Sequence, residues 1–444
     1  MQINPELQRN IWLDFNQHRL LITPIVLGML AYLSFAGDIS ALQHGSFFVS
    51  LSKFFIFVWG TKNASECVLS EVNNNTWDFQ RQTAISPWSM IWGKLIGSTL
   101  FSWYAAGLCF FFALILKPDD PSLLSTMGLL ILGGLLTQGF ACLLSLQILP
   151  QVHHEKNNRS FHYFLMSLCL GFPLTQAALY IYPGEVIIWY TWSIPAQHFL
   201  WATIGLFLSW TLIGLGRSMS KELQYAQIPW IWSVFVVFCM VYLSGLAKIN
   251  LSATDLFSGI LESPSLRLDT EDFRLMVTQM PYYVAICVAM LLAYLMIFLE
   301  TLSIVGYKKL FLHLKSDKLK ESLTYIPLWS IAYVFTLMIS LITFFKLPFT
   351  EPRTLVLTLI LFLTRDLVLV HYFSLSKTPK KAVSTAILYL FVLYNLIPLL
   401  LWPLGLKALL PAFIPNYSNL PLTLLSVGVQ ISLMVLWRVR EWRR

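Results

Sequence analysis

Residues 88–116 read WSMIWGKLIGSTLFSWYAAGLCFFFALIL, an apolar run in which Lys94 is the single charged side chain. A helix rises about 1.5 Å per residue, so this run is long enough to cross the roughly 30 Å hydrocarbon core of a bilayer. The apolar residues are continuous and do not alternate in ten-residue segments, which favours a helix over a strand of a membrane barrel. The run therefore predicts a membrane-spanning helix.

The composition of the whole chain agrees with this prediction. Apolar residues make up 57% of the 444 residues and charged residues only 12%, about half the charged share of a soluble domain. In lipid, helices and closed barrels are the structures that satisfy every backbone group. We therefore predict an all-α, polytopic transmembrane helical bundle of about twelve spans. The predicted spans are 20–36, 47–69, 88–116, 122–149, 161–182, 196–216, 228–247, 281–305, 325–345, 354–375, 383–402 and 420–437.

The lysines and arginines predict the orientation of these spans. With the N-terminus inside, twenty of the 30 fall in inner segments, seven in outer segments and three within or at the edge of spans. Cytoplasmic loops carry such an excess, so both termini are expected in the cytoplasm, with the chain in the plasma (bacterial inner) membrane. The net charge of +8 then reflects topology and contact with membrane lipids, and no nucleic-acid partner is needed.

The chain divides into a short N-terminal segment and two larger parts. Residues 1–19 carry apolar side chains at intervals of four, which predicts an amphipathic helix in the inner headgroup plane. Residues 20–220 would form a first six-span half and 221–444 a second, with an outer segment at 248–280 forming a partly helical cap. The long inner segments after the second and eighth spans occupy equivalent positions. These equivalent positions indicate either two related halves or a coincidence among twelve spans.

The loop of residues 70–90 is polar between two predicted spans. Asn75 is a candidate cap for a short surface helix, because asparagine accepts bonds from free N–H groups at a helix start. Ser86 and Pro87 predict where the next helix begins, since serine caps well and proline suits the first helical position.

Residues 50–110 resemble the same region of type-2 ABC transporter permeases, an exporter family. In that family a Gly-Thr-x-Glu stretch and Ser-Pro turns lead to a Gly-Lys pair that opens the third span, as Gly93-Lys94 does in this sequence. Asn75 stands where the family usually has glycine, and Asp78 where it usually has glutamate. Glu71 is what remains of a charged cluster.

The resemblance implies that the loop is a coupling helix, the element on which a separate ATP-binding subunit acts. We expect residues 73–85 to form this helix along the cytoplasmic surface, with Trp77 and Phe79 offering apolar contacts to that subunit. Asp78 and Arg81 would either stabilise the helix or pair across the interface. The residues assigned to ATPase coupling are Asn75, Thr76, Trp77, Asp78, Phe79 and Arg81.

Five charged residues fall at membrane depth, where such groups are costly and usually paired or functional. Lys62 and Glu66 have the i,i+4 spacing of an intrahelical ion pair or of a polar path between bundles. Arg365 and Asp366 are adjacent, so they project about 100° apart on a helix and are expected to meet different neighbouring helices. With Glu300, they would form either a proton relay or clamps between helices.

The sequence lacks the motifs of several common enzyme and metal-binding classes. No GxxxxGK[ST] phosphate-binding loop, GxSxG or HExxH motif occurs, and the six cysteines show no CxxC spacing. We therefore expect no enzyme activity, cofactor or metal in this chain, with ATP and magnesium on a separate ATP-binding subunit. The predicted function is the permease subunit of an ABC exporter for an amphipathic or lipid-linked substrate. The alternatives are an ion-coupled secondary transporter and a membrane-integral enzyme acting on a lipid-linked substrate.

Overall fold

The computed structural model describes most of the chain, and 86% of it is helical, which confirms an all-α helical bundle. The one sheet in the described part is a hairpin of two strands, β1 (Val186–Trp189) and β2 (Trp192–Pro195). The described residues are 4–14, 17–36, 41–83, 85–152, 160–182, 184–225, 228–247, 270–300, 304–316, 319–346, 350–375, 382–415 and 420–443.

Within these residues, nine helices are long and apolar enough to cross a membrane. The chain is therefore a multi-pass membrane protein, but the predicted count of twelve spans is not confirmed. The apolar helices at the predicted first and seventh spans are shorter, Gln17–Leu33 and Trp230–Gly245. The predicted second span holds Lys53 and Lys62 and changes from α- to π-helical winding at Phe54–Gly60, so no single regular apolar helix fills it.

The fold consists of two compact units. Unit 1 comprises Met1–Ile187 and Ser193–Gln227, and unit 2 comprises Ile188–Trp192 and Ile228–Arg444. The main boundary lies close to the predicted division between residues 220 and 221. That the two units are related halves stays a prediction.

Unit 1 is built around two long helices, α7 (Pro87–Leu116) and α8 (Ser122–Val152). The N-terminus of α7 lies where the sequence predicts it, because the N–H group of Ser89 donates to the Ser86 hydroxyl and Pro87 is the first helical residue. The helices of unit 1 are α1 (Pro5–Asp14), α2 (Gln17–Ala36), α3 (Ala41–Lys53), the π-helix Phe54–Gly60, α4 (Thr61–Glu66), α5 (Leu69–Asn73), α6 (Trp77–Arg81), α7 (Pro87–Leu116), α8 (Ser122–Val152), α9 (Ser160–Tyr180) and α10 (Ala196–Glu222).

The π-helical turn of unit 1 is held by one buried glutamine of α8. A π-helical turn disturbs the regular i→i−4 ladder of backbone bonds, and Gln138 donates to the carbonyl of Ile56 over 3.0 Å. The Gln138 side-chain oxygen in turn accepts from the indole of Trp103, also at 3.0 Å. A Cβ at Gly60 would lie 2.3 Å from the Gln138 amide, so glycine is required where the helix approaches this side chain.

Unit 2 packs α12 (Thr270–Leu299) against α11 (Trp230–Gly245) and α15 (Leu328–Lys346). It also packs α16 (Thr350–Ser374) against α17 (Ala382–Phe391) and α19 (Leu420–Arg443). Of the predicted outer segment 248–280, residues 248–269 lie outside the described residues, and the remainder forms the start of α12. The helices of unit 2 are α11 (Trp230–Gly245), α12 (Thr270–Leu299), α13 (Ile304–Lys315), α14 (Leu319–Leu323), α15 (Leu328–Lys346), α16 (Thr350–Ser374), α17 (Ala382–Phe391), the π-helix Val392–Leu396, α18 (Ile397–Leu401), the 3-10 helix Lys407–Ala412 and α19 (Leu420–Arg443).

Candidate functional site

The N-terminal helix α1 docks on the start of α7 through two glycines one turn apart. A Cβ at Gly93 would lie 2.6 Å from the Cβ of Glu6, and a Cβ at Gly97 would lie 2.6 Å from the Cβ of Asn10. The Asn10 amide also donates to the carbonyl of Gly93 at 3.1 Å. Small residues spaced by four let two helices approach closely, so this Gly-x-x-x-Gly motif forms the surface on which α1 packs.

This docking buries one charged residue of α1, whereas the position of the helix in the headgroup plane stays a prediction. The sequence predicts its charged residues on the face away from the apolar stripe, at the membrane surface. Instead Glu6 is buried, while Trp12 and Leu13 are exposed. Glu6 is buried for an electrostatic reason: Lys94 of α7 is buried where α1 packs, and an unpaired buried charge is costly.

Lys94 is the centre of a buried cluster formed by side chains from four elements. Its ammonium group donates to Glu6 of α1 at 3.0 Å, to Gln80 of α6 at 2.6 Å, and to Glu71 of α5. A lysine ammonium has three N–H donors, and all three are used. Gln80 also donates to Glu71 at 2.8 Å, so the loop and both helices are joined through one hydrogen-bonded network.

Arg9 completes this network and makes it electrically neutral. Its guanidinium pairs with Glu6 at 3.0 Å and with Glu71, while its own side chain stays 39% exposed. Two cations, Arg9 and Lys94, thus balance two carboxylates. We call these five residues the charge cluster: Glu6, Arg9, Glu71, Gln80 and Lys94.

The predicted coupling loop folds as two short helices and not as one helix over residues 73–85. α5 ends at Asn73 and α6 covers Trp77–Arg81, with a tight turn between them. Asn75 is not the helix cap: it has a φ of +57° in this turn, a conformation that asparagine tolerates better than most residues. Thr76 occupies the cap position, and its hydroxyl and N–H group both donate to the carbonyl of Glu71.

The two aromatic residues of α6 lie in opposite environments. Trp77 is only 1% exposed and the Lys94 ammonium lies 5.3 Å from the centre of its ring, so the expectation that Trp77 contacts a partner is wrong. Phe79 is 75% exposed, so its contact with an ATP-binding subunit stays a prediction. Asp78 and Arg81 pair within the helix at 3.8 Å, which agrees with the first of the two roles expected for them.

Lys62 and Glu66 lie on α4 but form no ion pair with each other, although both are among the described residues. Lys62 is exposed and Glu66 half-buried. Their spacing permits a pair, but an exposed i,i+4 pair gains only about 0.3–0.5 kcal/mol and loses side-chain freedom. The expected ion pair between Lys62 and Glu66 is therefore wrong.

Arg365 and Asp366 of α16 pair with each other, a contact that the sequence does not predict, although each also meets a different neighbouring helix as expected. The Arg365 Nε donates to Asp366 Oδ1 at 2.8 Å, and both side chains are fully buried. A long arginine side chain can curl back along its helix, which the 100° separation of neighbouring residues does not prevent. The guanidinium carbon also lies 4.5 Å and 4.8 Å from the ring centres of Phe362 and Tyr394.

The prediction that another helix holds this pair is confirmed. Asp366 Oδ2 accepts from the hydroxyls of Tyr294 on α12 at 2.7 Å and Tyr394 in the second π-helix at 2.6 Å. Gln430 of α19 lies 3.5 Å from Arg365 Nη1. The Asp366 side chain lies at an open, mostly apolar groove of about 480 Å³. The groove is lined by Tyr294, Phe298, Asp366, Ile387, Leu390, Phe391, Tyr394 and Asn395.

Glu300 and His371 hold other parts of unit 2. Glu300 follows the last residue of α12 and accepts from the backbone N–H of Leu328 at 2.9 Å, which caps the start of α15. His371 lies 2.9 Å from the hydroxyl of Tyr307 and packs edge-on to the indole of Trp329. The sequence anticipates neither contact.

The sequence did not predict that the five residues of the charge cluster lie together. One signal for it exists, the Gly93-x-x-x-Gly97 spacing around Lys94, with Glu6 and Asn10 at i,i+4 on the N-terminal helix. Nothing in the sequence indicates Tyr294 and Tyr394 as partners of Asp366. Within the described residues, no group of three His, Cys, Asp or Glu side chains is placed to hold a metal ion.

Comparison of the chain with protein-family models, curated proteins and solved structures finds no match. Function is therefore inferred from the charge cluster, the buried pair of unit 2 and the resemblance of residues 50–110.

Proposed function

We propose that this chain is the membrane-spanning subunit of an ATP-driven exporter, on which a separate ATP-binding subunit acts from the cytoplasmic side. The proposal includes twelve spans, both termini in the cytoplasm, and a location in the bacterial inner membrane. Its cargo would be an amphipathic or lipid-linked molecule. The resemblance of residues 50–110 to type-2 permeases supports it.

The charge cluster is the observation that carries the proposal. A coupling element has to transmit movement from a loop at the membrane surface to the spanning helices. Gln80 of α6 bonds both Lys94 of α7 and Glu71 of α5, so a displacement of α6 acts directly on the start of a 30-residue helix. Glu6 joins α1 to the same lysine, so the N-terminal helix moves with it.

The outer face of α6 supports a contact with a partner. Phe79 is 75% exposed and Asp78 lies beside it, while Trp77 and Gln80 on the inner face are buried. A short helix fixed on one face and open on the other can receive a partner without unfolding. Exposed aromatic residues are frequent energetic anchors at protein interfaces.

The nucleotide is assigned to the partner. The sequence has no GxxxxGK[ST] loop, and Gly93-Lys94 lacks both the earlier glycine and the following hydroxyl of that motif. ATP and magnesium would bind the separate subunit, and this chain would contribute the pathway and the coupling surface.

One observation favours a second function, an ion-coupled secondary transporter. Arg365 and Asp366 are buried in a membrane-spanning helix beside a groove, and ionisable groups at such depth often mark ion pathways. However, Asp366 accepts bonds from one arginine and two tyrosines. Such a saturated carboxylate suits a clamp between helices better than a site that binds and releases protons, so the ATP-driven exporter is preferred.

The test is purification of the tagged chain from its native membranes, followed by assay of ATP hydrolysis and identification of bound proteins. We expect a co-purified ATP-binding subunit. The variant Phe79→Ala should reduce its amount, and the control Tyr182→Ala, which removes an equally exposed aromatic ring, should not. Transport driven by an ion gradient in the absence of any ATP-binding partner would overturn the proposal in favour of the secondary transporter.

A further inference from the structure

The helix α13 of unit 2 follows one membrane-spanning helix and precedes another. It begins five residues after α12 ends at Leu299, and α15 begins at Leu328. Both neighbours are apolar enough to cross the membrane, so the connection between them lies at one membrane surface. At 1.5 Å per residue, the twelve residues of α13 extend about 18 Å along that surface.

One face of α13 is fixed to the protein. The Nδ1 atom of His313 lies 3.2 Å from the Glu321 carboxylate of α14, and the His313 ring stacks on Tyr325 with centroids 5.5 Å apart. The hydroxyl of Tyr307 on α13 lies 2.9 Å from His371. These contacts set which side of α13 faces outward.

The outward face combines exposed apolar side chains with lysines. Successive residues of a helix project about 100° apart, so Val305 and Leu312 point the same way, roughly at right angles to His313 and away from Tyr307. Lys308 and Lys315 flank that apolar pair on one side and Lys309 flanks it on the other. All of these side chains are exposed, and so is Phe311.

The charge of this face lacks an acidic counterpart on α13, which contains no Asp or Glu. Glu321 on the neighbouring α14 is engaged by His313. Lys309 also lies over the Tyr325 ring at 5.6 Å, which leaves Lys308 and Lys315 as the outermost cations. Apolar side chains flanked by lysines are the pattern of a helix that lies in the membrane interface, with its lysines at the level of the headgroups.

We infer that α13 is a binding surface for anionic phospholipids, with Val305 and Leu312 among the acyl chains and Lys308 and Lys315 on the headgroup phosphates. A basic residue near an anionic membrane surface strengthens association about fivefold. The surface is independent of the ATP-binding partner, and its function is to fix the inner end of unit 2 in the plane of an anionic leaflet.

The test is photocrosslinking of the full chain reconstituted in phosphatidylcholine vesicles that contain a minor share of phosphatidylglycerol. The photoreactive residue is benzoylphenylalanine in place of Phe311, and lipid adducts are counted by mass spectrometry. The ratio of phosphatidylglycerol to phosphatidylcholine adducts should exceed the vesicle ratio by about fivefold or more. A probe at Leu341, which is exposed in the middle of α15, should give the vesicle ratio.

The double variant Lys308→Gln/Lys315→Gln should return the ratio at position 311 most of the way to the vesicle ratio. The control Lys221→Gln/Lys407→Gln, which removes two exposed lysines elsewhere, should leave it unchanged. Adducts at the vesicle ratio in the unaltered chain would show a merely lipid-facing helix. Adducts to protein would show a protein interface, and an unreacted probe would show a solvent-facing one. Each of these three results overturns the inference.

Discussion

Removing the ammonium group of Lys94 should destabilise unit 1 strongly. Lys94→Met keeps the length of the side chain but leaves Glu6 and Glu71 with Arg9 as their one cation, so the charge cluster changes from neutral to a net charge of −1. Removing one partner of a buried ion pair costs about 3–5 kcal/mol. Arg9 is 39% exposed and can compensate partly, so we expect a loss near 3 kcal/mol in the free energy of unfolding.

A second substitution should recover most of this loss. Glu71→Gln removes one carboxylate while keeping a side chain that bonds Gln80, so Lys94→Met/Glu71→Gln restores neutrality around the remaining pair of Arg9 and Glu6. The measurement is reversible unfolding of the purified proteins in mixed micelles titrated with dodecyl sulfate. Lys221→Met, at an exposed lysine, serves as control and should change stability by no more than about 0.5 kcal/mol. A loss below about 1 kcal/mol for Lys94→Met, or no recovery in the double variant, would refute the electrostatic account of the charge cluster.

Three further outcomes follow from the described contacts. Trp77→Ala should cost about 3–5 kcal/mol of stability, because it empties a buried site, whereas Phe79→Ala should leave stability within about 0.5 kcal/mol; equal losses in the same unfolding assay would contradict their different burial. Gly93→Leu should displace the N-terminal helix and expose it to protease, since a Cβ there meets that helix at 2.6 Å, whereas Gly107→Leu, where a Cβ meets nothing within 4 Å, should not; similar digestion rates for both variants would count against the docking. Tyr394→Phe should cost about 1–3 kcal/mol by leaving a buried carboxylate short of one donor, and an unchanged unfolding midpoint would show that this bond contributes nothing.

The helical architecture could be predicted from the sequence, because long apolar runs at membrane depth permit few alternatives. Ser86 and Pro87 located the start of α7, since capping depends on local chemistry alone. The number of spans was harder, because the π-helical turn at Phe54–Gly60 depends on a side chain from α8, Gln138, which lies 82 positions from Ile56 in sequence.

The candidate site was predictable only in part. The loop before α7 was found from its polarity and its family resemblance, but Trp77 was assigned to the surface and is buried. Its burial follows from Lys94, which attracts both the indole ring and Glu71. These contacts join different helices, and the local sequence pattern around Trp77 gives no sign of them. The pairing of Arg365 with Asp366 was missed for a different reason, since the direction of a Cα–Cβ bond does not fix where a long side chain ends.

The central claim, that α6 receives an ATP-binding subunit, is tested most directly by photocrosslinking in intact cells. Benzoylphenylalanine in place of Phe79 should give one dominant protein adduct, and the attached protein should contain a phosphate-binding loop and hydrolyse ATP when purified with this chain. The same probe in place of Tyr182, also an exposed aromatic residue of unit 1, should not give that adduct. Crosslinking of position 79 to lipid alone, with transport continuing normally, would contradict the claim.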